Sequence, residues 1–125
     1  DLELRGCPVN KTQLLEAVSA ILNGRRPNVS PHSVCMECKM RGTVCIMVQG
    51  TPCLGPVTHA GCGAICPAFR RGCYGCYGPS ESPNTSSLAR VFSMSRVSER
   101  EILRMFRTFN ANAPAFRKES EAHER

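Results

Sequence analysis

No stretch of the 125-residue chain approaches the about 18 consecutive apolar residues that a membrane-spanning helix needs, so nothing in it is expected to cross a bilayer. Aromatic side chains are scarce: there is no tryptophan, with two tyrosines and five phenylalanines. They do not interleave with basic residues as a stacking stripe would, so nucleic acid is disfavoured as a partner despite a formal net charge of +6 and a pI near 9.0. The arginines are scattered (Arg25/Arg26, Arg70/Arg71, Arg90, Arg96, Arg100, Arg104, Arg107), which reads first as a solvated face and second as steering for an acidic partner. Large apolar residues are few between positions 35 and 76, too few to bury a core unaided. A signal-peptide pattern is missing from Asp1–Asn10.

What the chain has in excess is sulfur. Of its nine cysteines, eight fall in the run Cys35, Cys38, Cys45, Cys53, Cys62, Cys66, Cys73, Cys76, and the ninth is Cys7. The run divides into two sets of four, each with one CxxC pair, Cys35/Cys38 and Cys73/Cys76. A CxxC turn points two sulfurs at a common centre, and two further thiolates reached across a loop complete a tetrahedral metal or cluster site. Three chemistries compete for these sulfurs. The odd count and the missing signal pattern weigh against a disulfide framework. Structural zinc is held more often by two CxxC knuckles about 15 to 20 residues apart than by single cysteines at irregular intervals. Iron-sulfur clusters are favoured by the flanking residues Gly42, Gly50, Gly55, Gly61, Gly63, Gly72, Gly75 and Gly78, with Pro52, Pro56, Pro67 and Pro79 among them. Glycine lets backbone pass close to a bulky inorganic cube and proline fixes the loop, while the backbone N–H groups are free to point at sulfides.

The stretch Cys53–Pro79, CLGPVTHAGCGAICPAFRRGCYGCYGP, resembles the carboxy-terminal iron-sulfur part of the small subunit of nickel-iron hydrogenases, most closely the delta subunits of the cytoplasmic, NAD(P)-coupled or sulfhydrogenase type. ELRGCP at Glu3–Pro8, GRRPN at Gly24–Asn28 and the segment Ser98–Arg117 extend the resemblance over essentially the whole chain. The small subunit of NADH:ubiquinone oxidoreductase is a more distant relation, but it keeps only the innermost cluster. The resemblance implies that Cys35, Cys38, Cys45 and Cys53 hold a distal 4Fe-4S cluster and Cys62, Cys66, Cys73 and Cys76 a medial one. Cys7 matches the last ligand of a proximal cluster whose other three ligands come, in the family, from a preceding flavodoxin-like domain. Two departures from the better-known uptake enzymes stand out. Their first distal ligand is a histidine in an HxxC arrangement, where this chain has Cys35; His32 and Cys35 form an alternative HxxC. Their medial cluster often has three irons, whereas Cys66 supplies a fourth thiolate here.

The expected fold is a small, loop-rich iron-sulfur domain with a few α-helices over residues 28–125, preceded by residues 1–27 as the tail of a missing flavodoxin-like α/β domain, with Asp1–Arg5 the end of its last strand. The chain therefore reads as the back part of a longer subunit. Lys11–Asn23 carries Leu14, Leu15, Val18, Ile21 and Leu22 at helical spacing, an apolar face capped by Asn10 and Gln13 and ended by Gly24 and Pro27. Val29–Pro83 is expected to hold short turns at most, and Pro83–Ser87 to be a turn. A second helix starts at the Ser98/Glu101 capping box, buries Ile102, Leu103, Phe106 and Phe109, and ends by Pro114, leaving Glu119–Arg125 as a frayed tail. Tyr74 and Tyr77 are expected to shield the neighbouring cysteines from water. Eight thiolates on two cubes of about +2 each would lower the net charge to about +2.

Function follows from the resemblance: an electron-transfer subunit of a hydrogenase, without a hydrogen-activating site of its own. Its partners would be a nickel-iron large subunit and flavin- or iron-sulfur-containing diaphorase-type subunits, in the cytoplasm, where thiols stay reduced. A zinc-organised four-cysteine binding module and the iron-sulfur subunit of another reductase remain alternatives.

Overall fold

The computed structural model describes residues 2–124. Six α-helices follow one another: α1 Lys11–Leu22, α2 Val34–Arg41, α3 Ile65–Ala68, α4 Thr85–Met94, α5 Glu99–Thr108 and α6 Pro114–Ala122. Single 3-10 turns lie at Ile46–Gln49 and Gly55–Val57. Among the described residues β structure is confined to isolated antiparallel bridges, Gly6 with Val9, Ser33 with His59 and Thr58 with Pro79. The strand end expected at Asp1–Arg5 is therefore not part of a ladder over Leu2–Arg5, and Asp1 lies outside the described residues.

The carboxy-terminal third is a three-helix base. Asn84 caps α4 by accepting the Ser87 N–H. The expected capping box opens α5, with Ser98 Oγ accepting the Glu101 N–H at 3.3 Å and the Glu101 carboxylate accepting the Ser98 N–H at 3.1 Å. Phe92 of α4, Ile102 and Phe106 of α5 and Phe116 of α6 are fully buried together. The rings of Phe106 and Phe116 meet edge to face, 5.5 Å between centroids. Each such side chain contributes about 1.5–3 kcal/mol of burial. Leu54 and Val57, from the loop behind Cys53, complete this cluster, so the helical base and the cysteine loops share one core.

Several expectations are corrected. Val29–Pro83 contains more than turns, because α2 gives Cys35 and Cys38 a helix of eight residues ended by Gly42 in the left-handed conformation. Pro83–Ser87 is no free turn, since α4 begins at Thr85. Pro114 occupies the first turn of α6 rather than marking an end, as its missing N–H is no loss there. That helix runs into the expected tail as far as Ala122, burying Glu119 and Ser120, with Arg125 outside the described residues. Phe109 lies just past α5, 37% exposed, because the backbone turns extended at that residue. The largest departure is in α1: its boundaries agree, and Asn10 accepts the N–H groups of Thr12 and Gln13, yet it buries only Ala17 and Ala20. Leu15 and Leu22 are 71% and 80% exposed, and within this chain the small residues of the helix, not its leucines, are the ones covered.

Candidate metal centres

The cysteine loops run from α2 to the start of α4 and lie over the helical base. Cys35 and Cys38 sit one turn apart on α2, Cys45 just before the first 3-10 turn, Cys53 just before the second, and Cys66 on α3. Cys62 stands on the Gly61–Gly63 segment, Cys73 on the stretch after Gly72, and Cys76 in the Cys76–Tyr77 turn closed by the Gly78 N–H to Gly75 carbonyl bond. All nine cysteines are free thiols; Cys53 and Cys73 are buried, while Cys7 and Cys45 are exposed.

Electrostatic neighbours fall around two centres, Cys53 and Cys62, whose reach overlaps. The Cys35 thiol is pushed up to about 11, by burial first and then by Cys53, Cys38 and Cys45. Cys38 is raised by burial and by Cys53, Cys45 and Cys62. Cys66 is raised by burial, Cys62 and Cys53, and Cys76 by burial, Cys62, Cys7 and Cys66. Cys73 belongs to the seam between the centres: burial lifts it to about 12, against the Gly75 N–H that favours its thiolate, and both Cys53 and Cys62 act on it. His32 is exposed, and its backbone carbonyl accepts the Ala60 N–H. Among the described residues no three His, Cys, Asp or Glu side chains stand as a ready ligand set for a single ion.

The surroundings suit iron-sulfur ligation in three respects. Burial raises the thiols of Cys35, Cys38, Cys53, Cys66, Cys73 and Cys76, so holding these as thiolates is favoured by a positive body at the site. Backbone donors already face sulfur: Gly55 and Cys73 N–H reach Cys53 Sγ at 3.4 and 3.1 Å, and Gly75 N–H reaches Cys73 Sγ at 3.4 Å. Space is kept open beside them, because a Cβ on Gly55 would stand 3.3 Å from Cys53 Sγ and 3.6 Å from Cys35 Sγ. Leu54 N–H donates to the Cys73 carbonyl at 3.0 Å, tying the Cys53 and Cys73 loops at the seam. Tyr77 is buried and donates its hydroxyl to the Pro8 carbonyl at 3.3 Å, covering the Cys76 side next to Cys7. Tyr74 is 45% exposed, so of the two expected shields only Tyr77 is itself covered.

Several contributors were not singled out in the sequence. Glu37 accepts the N–H groups of Gly61 and Gly63, on either side of Cys62. Asn110 donates its amide to the carbonyls of Gly75 and Cys76, both at 3.0 Å. Glu37 had a signal, since it lies between Cys35 and Cys38; Asn110 had none. A cavity of about 500 Å³ opens beside Cys73, lined by Leu54, Tyr74, Met105, Arg70, Arg71 and Arg104 among others.

No family model matches the chain. Among curated proteins it is 37% identical over 110 residues to the sulfhydrogenase 2 delta subunit of Pyrococcus furiosus, over 87% of this chain and 46% of that one. It is 33% identical over 99 residues to the vhu-type F420-non-reducing hydrogenase subunit of Methanocaldococcus jannaschii, over 65% of this chain and 34% of that one. It is also 29% identical over 107 residues to the F420-non-reducing hydrogenase iron-sulfur subunit of Archaeoglobus profundus, over 63% and 33% respectively. The chain thus spans less than half the length of these relatives.

Proposed function

The chain belongs to the family of small iron-sulfur subunits of hydrogenases, and from that premise we propose that it relays electrons through two 4Fe-4S clusters. Cys35, Cys38, Cys45 and Cys53 hold the distal cluster, and Cys62, Cys66, Cys73 and Cys76 the medial one. Cys7 gives one ligand to a proximal cluster, the remainder coming from a preceding flavodoxin-like part to which residues 1–27 belong, with 28–125 as the two-cluster domain. When bound, such clusters accept and return single electrons. The observation that carries the reading is the meeting of buried thiols with backbone N–H donors at Cys53 and Cys73, in a chain related to hydrogenase iron-sulfur subunits.

The residues of this chain perform three tasks. Their thiolates bind, the N–H groups of Gly55, Cys73 and Gly75 stabilise added negative charge at sulfur, and Val34, Ile46 and Tyr77 exclude water. The exposure of Cys45 supports an outer position for the distal quartet, where a partner would meet it. The electrons would pass between a nickel-iron centre in a large subunit, which performs the hydrogen chemistry, and a flavin-bearing, NAD(P)-linked partner. A cytoplasmic location belongs to the same proposal. Anaerobic purification of the tagged protein from its native host is the test. A brown complex that bleaches with dithionite and contains a nickel-bearing subunit is expected. A colourless, zinc-containing product would favour the zinc-organised module, and a brown complex lacking nickel would favour another reductase.

A further inference from the structure

Cys62 lies between two glycines whose four backbone polar groups are all held by side chains from elsewhere. Glu37 accepts the Gly61 N–H through Oε1 at 2.9 Å and the Gly63 N–H through Oε2 at 2.7 Å. Arg41 donates Nη1 to the Gly63 carbonyl at 2.9 Å, and Asn10 donates Nδ2 to the Gly61 carbonyl at 3.1 Å. Glu37 and Arg41 both stand on α2, the helix that carries Cys35 and Cys38. One helix therefore holds two sulfurs of the first quartet through its own chain and positions one of the second through a carboxylate. Two hydrogen bonds to an ionised acceptor are stronger and more directional than neutral ones. Glu37 is half-buried, and its charge is felt at Cys38 and at Tyr77.

We propose that Glu37 is a positioning residue that joins the two cluster sites, fixing Cys62 against the helix of Cys35 and Cys38 and lowering the reduction potential at both. The inference rests on the reading that both quartets carry clusters. Two effects act in the same direction. A carboxylate close to both sites opposes the arrival of an electron at either. It also takes up the N–H groups of Gly61 and Gly63, which would otherwise be available to stabilise negative charge on sulfur.

The test uses Glu37→Gln in the full-length, anaerobically matured protein. Glutamine has the same size, no charge, and an oxygen on only one arm. Sulfide content is measured first, then both midpoint potentials by redox titration followed by electron paramagnetic resonance. Wild-type sulfide content and an upward shift of both potentials are expected, while Arg41→Gln, which removes a cation bound to the same loop, shifts them downward. Unmoved potentials in E37Q, a shift confined to one cluster, or shifts of equal sign in the two variants would overturn the proposal, since a loop merely loosened has no reason to respond to the sign of the charge. If E37Q loses sulfide, Glu37→Asp carries the test: the charge stays but the reach shortens. Near-wild-type potentials with a weakened magnetic interaction between the reduced clusters are then expected, and an unchanged interaction would contradict the joining role. Absence of sulfide from the unsubstituted protein would overturn the cluster reading and this inference with it; sulfide present with unmoved potentials overturns this inference alone.

Discussion

The lack of one atom, a Cβ at Gly72, lets two of the cysteine loops pack closely. A Cβ on Gly72 would lie 1.9 Å from the Pro52 carbonyl oxygen and 3.3 Å from Cys53 Cα, both backbone atoms that cannot swing aside. Gly72→Ala is therefore expected to part the segments joined by the Leu54 N–H to Cys73 carbonyl bond and the Cys73 N–H to Cys53 Sγ bond. The readout is sulfide bound per chain together with the melting temperature, and unchanged values of both would contradict the packing described. Asn110 acts from further away, through its two bonds to the Gly75 and Cys76 carbonyls. Asn110→Ala should cost about 1–3 kcal/mol and hasten sulfide loss in air, measured as the rate at which the brown colour fades. The thiols themselves were legible as candidates, because cysteines at CxxC spacing stand out from the letters alone. Glu37 was visible only as a letter between two cysteines, and Asn110 could not be found at all: its partners lie 34 and 35 residues earlier, and no local pattern encodes a bond across that distance.

Among the helices, the one with the clearest start signal is also the one whose burial was read best. The Ser98/Glu101 box and the Ile102 and Phe106 pair are local features of α5, and the structure keeps them. α6 was missed because Pro114 reads as a stop as readily as a first turn, and its contacts are made with α5 and α4 rather than within itself. Phe106→Ala should destabilise the base by about 3–5 kcal/mol, read from a denaturant midpoint. A pH-dependent tie joins α5 to α6. His123 bonds Glu99 and, at 3.1 Å, Glu119; burial alone would lower its pKa, but these two carboxylates outweigh burial and raise it. The other ion pairs on these two helices are Arg107–Glu124 and Arg117–Glu121. With the folded value above the unfolded one, the stabilisation is fully present below about pH 6.5 and is lost as pH rises through the folded pKa. The stability gap between wild type and His123→Gln should therefore shrink as pH rises above about 6.5; a gap that does not change with pH would contradict the tie. α1 shows how periodicity misleads: it locates an apolar face correctly but cannot say whether a partner surface exists. Leu15→Ser and Leu22→Ser should each change the stability of this chain by less than about 0.5 kcal/mol.

At the scale of the whole molecule, a core made by α4, α5 and α6 carries loops that are rich in thiols and poor in large apolar residues. Leu54 and Val57 connect the two, so the helical base can fold around ordinary hydrophobic packing while the loops around the cysteines depend on what the sulfurs bind. The sequence disclosed that division through composition alone. It could not disclose that Cys53 and Cys73 meet, since that contact depends on a backbone pairing between loops. The most direct measurement is an iron, acid-labile sulfide and zinc determination on the anaerobically matured protein. Two four-cysteine sites predict about eight iron and about eight sulfide atoms in this part of the protein, beyond any share in a cluster at Cys7. Zinc in place of iron, or iron without acid-labile sulfide, would contradict the account.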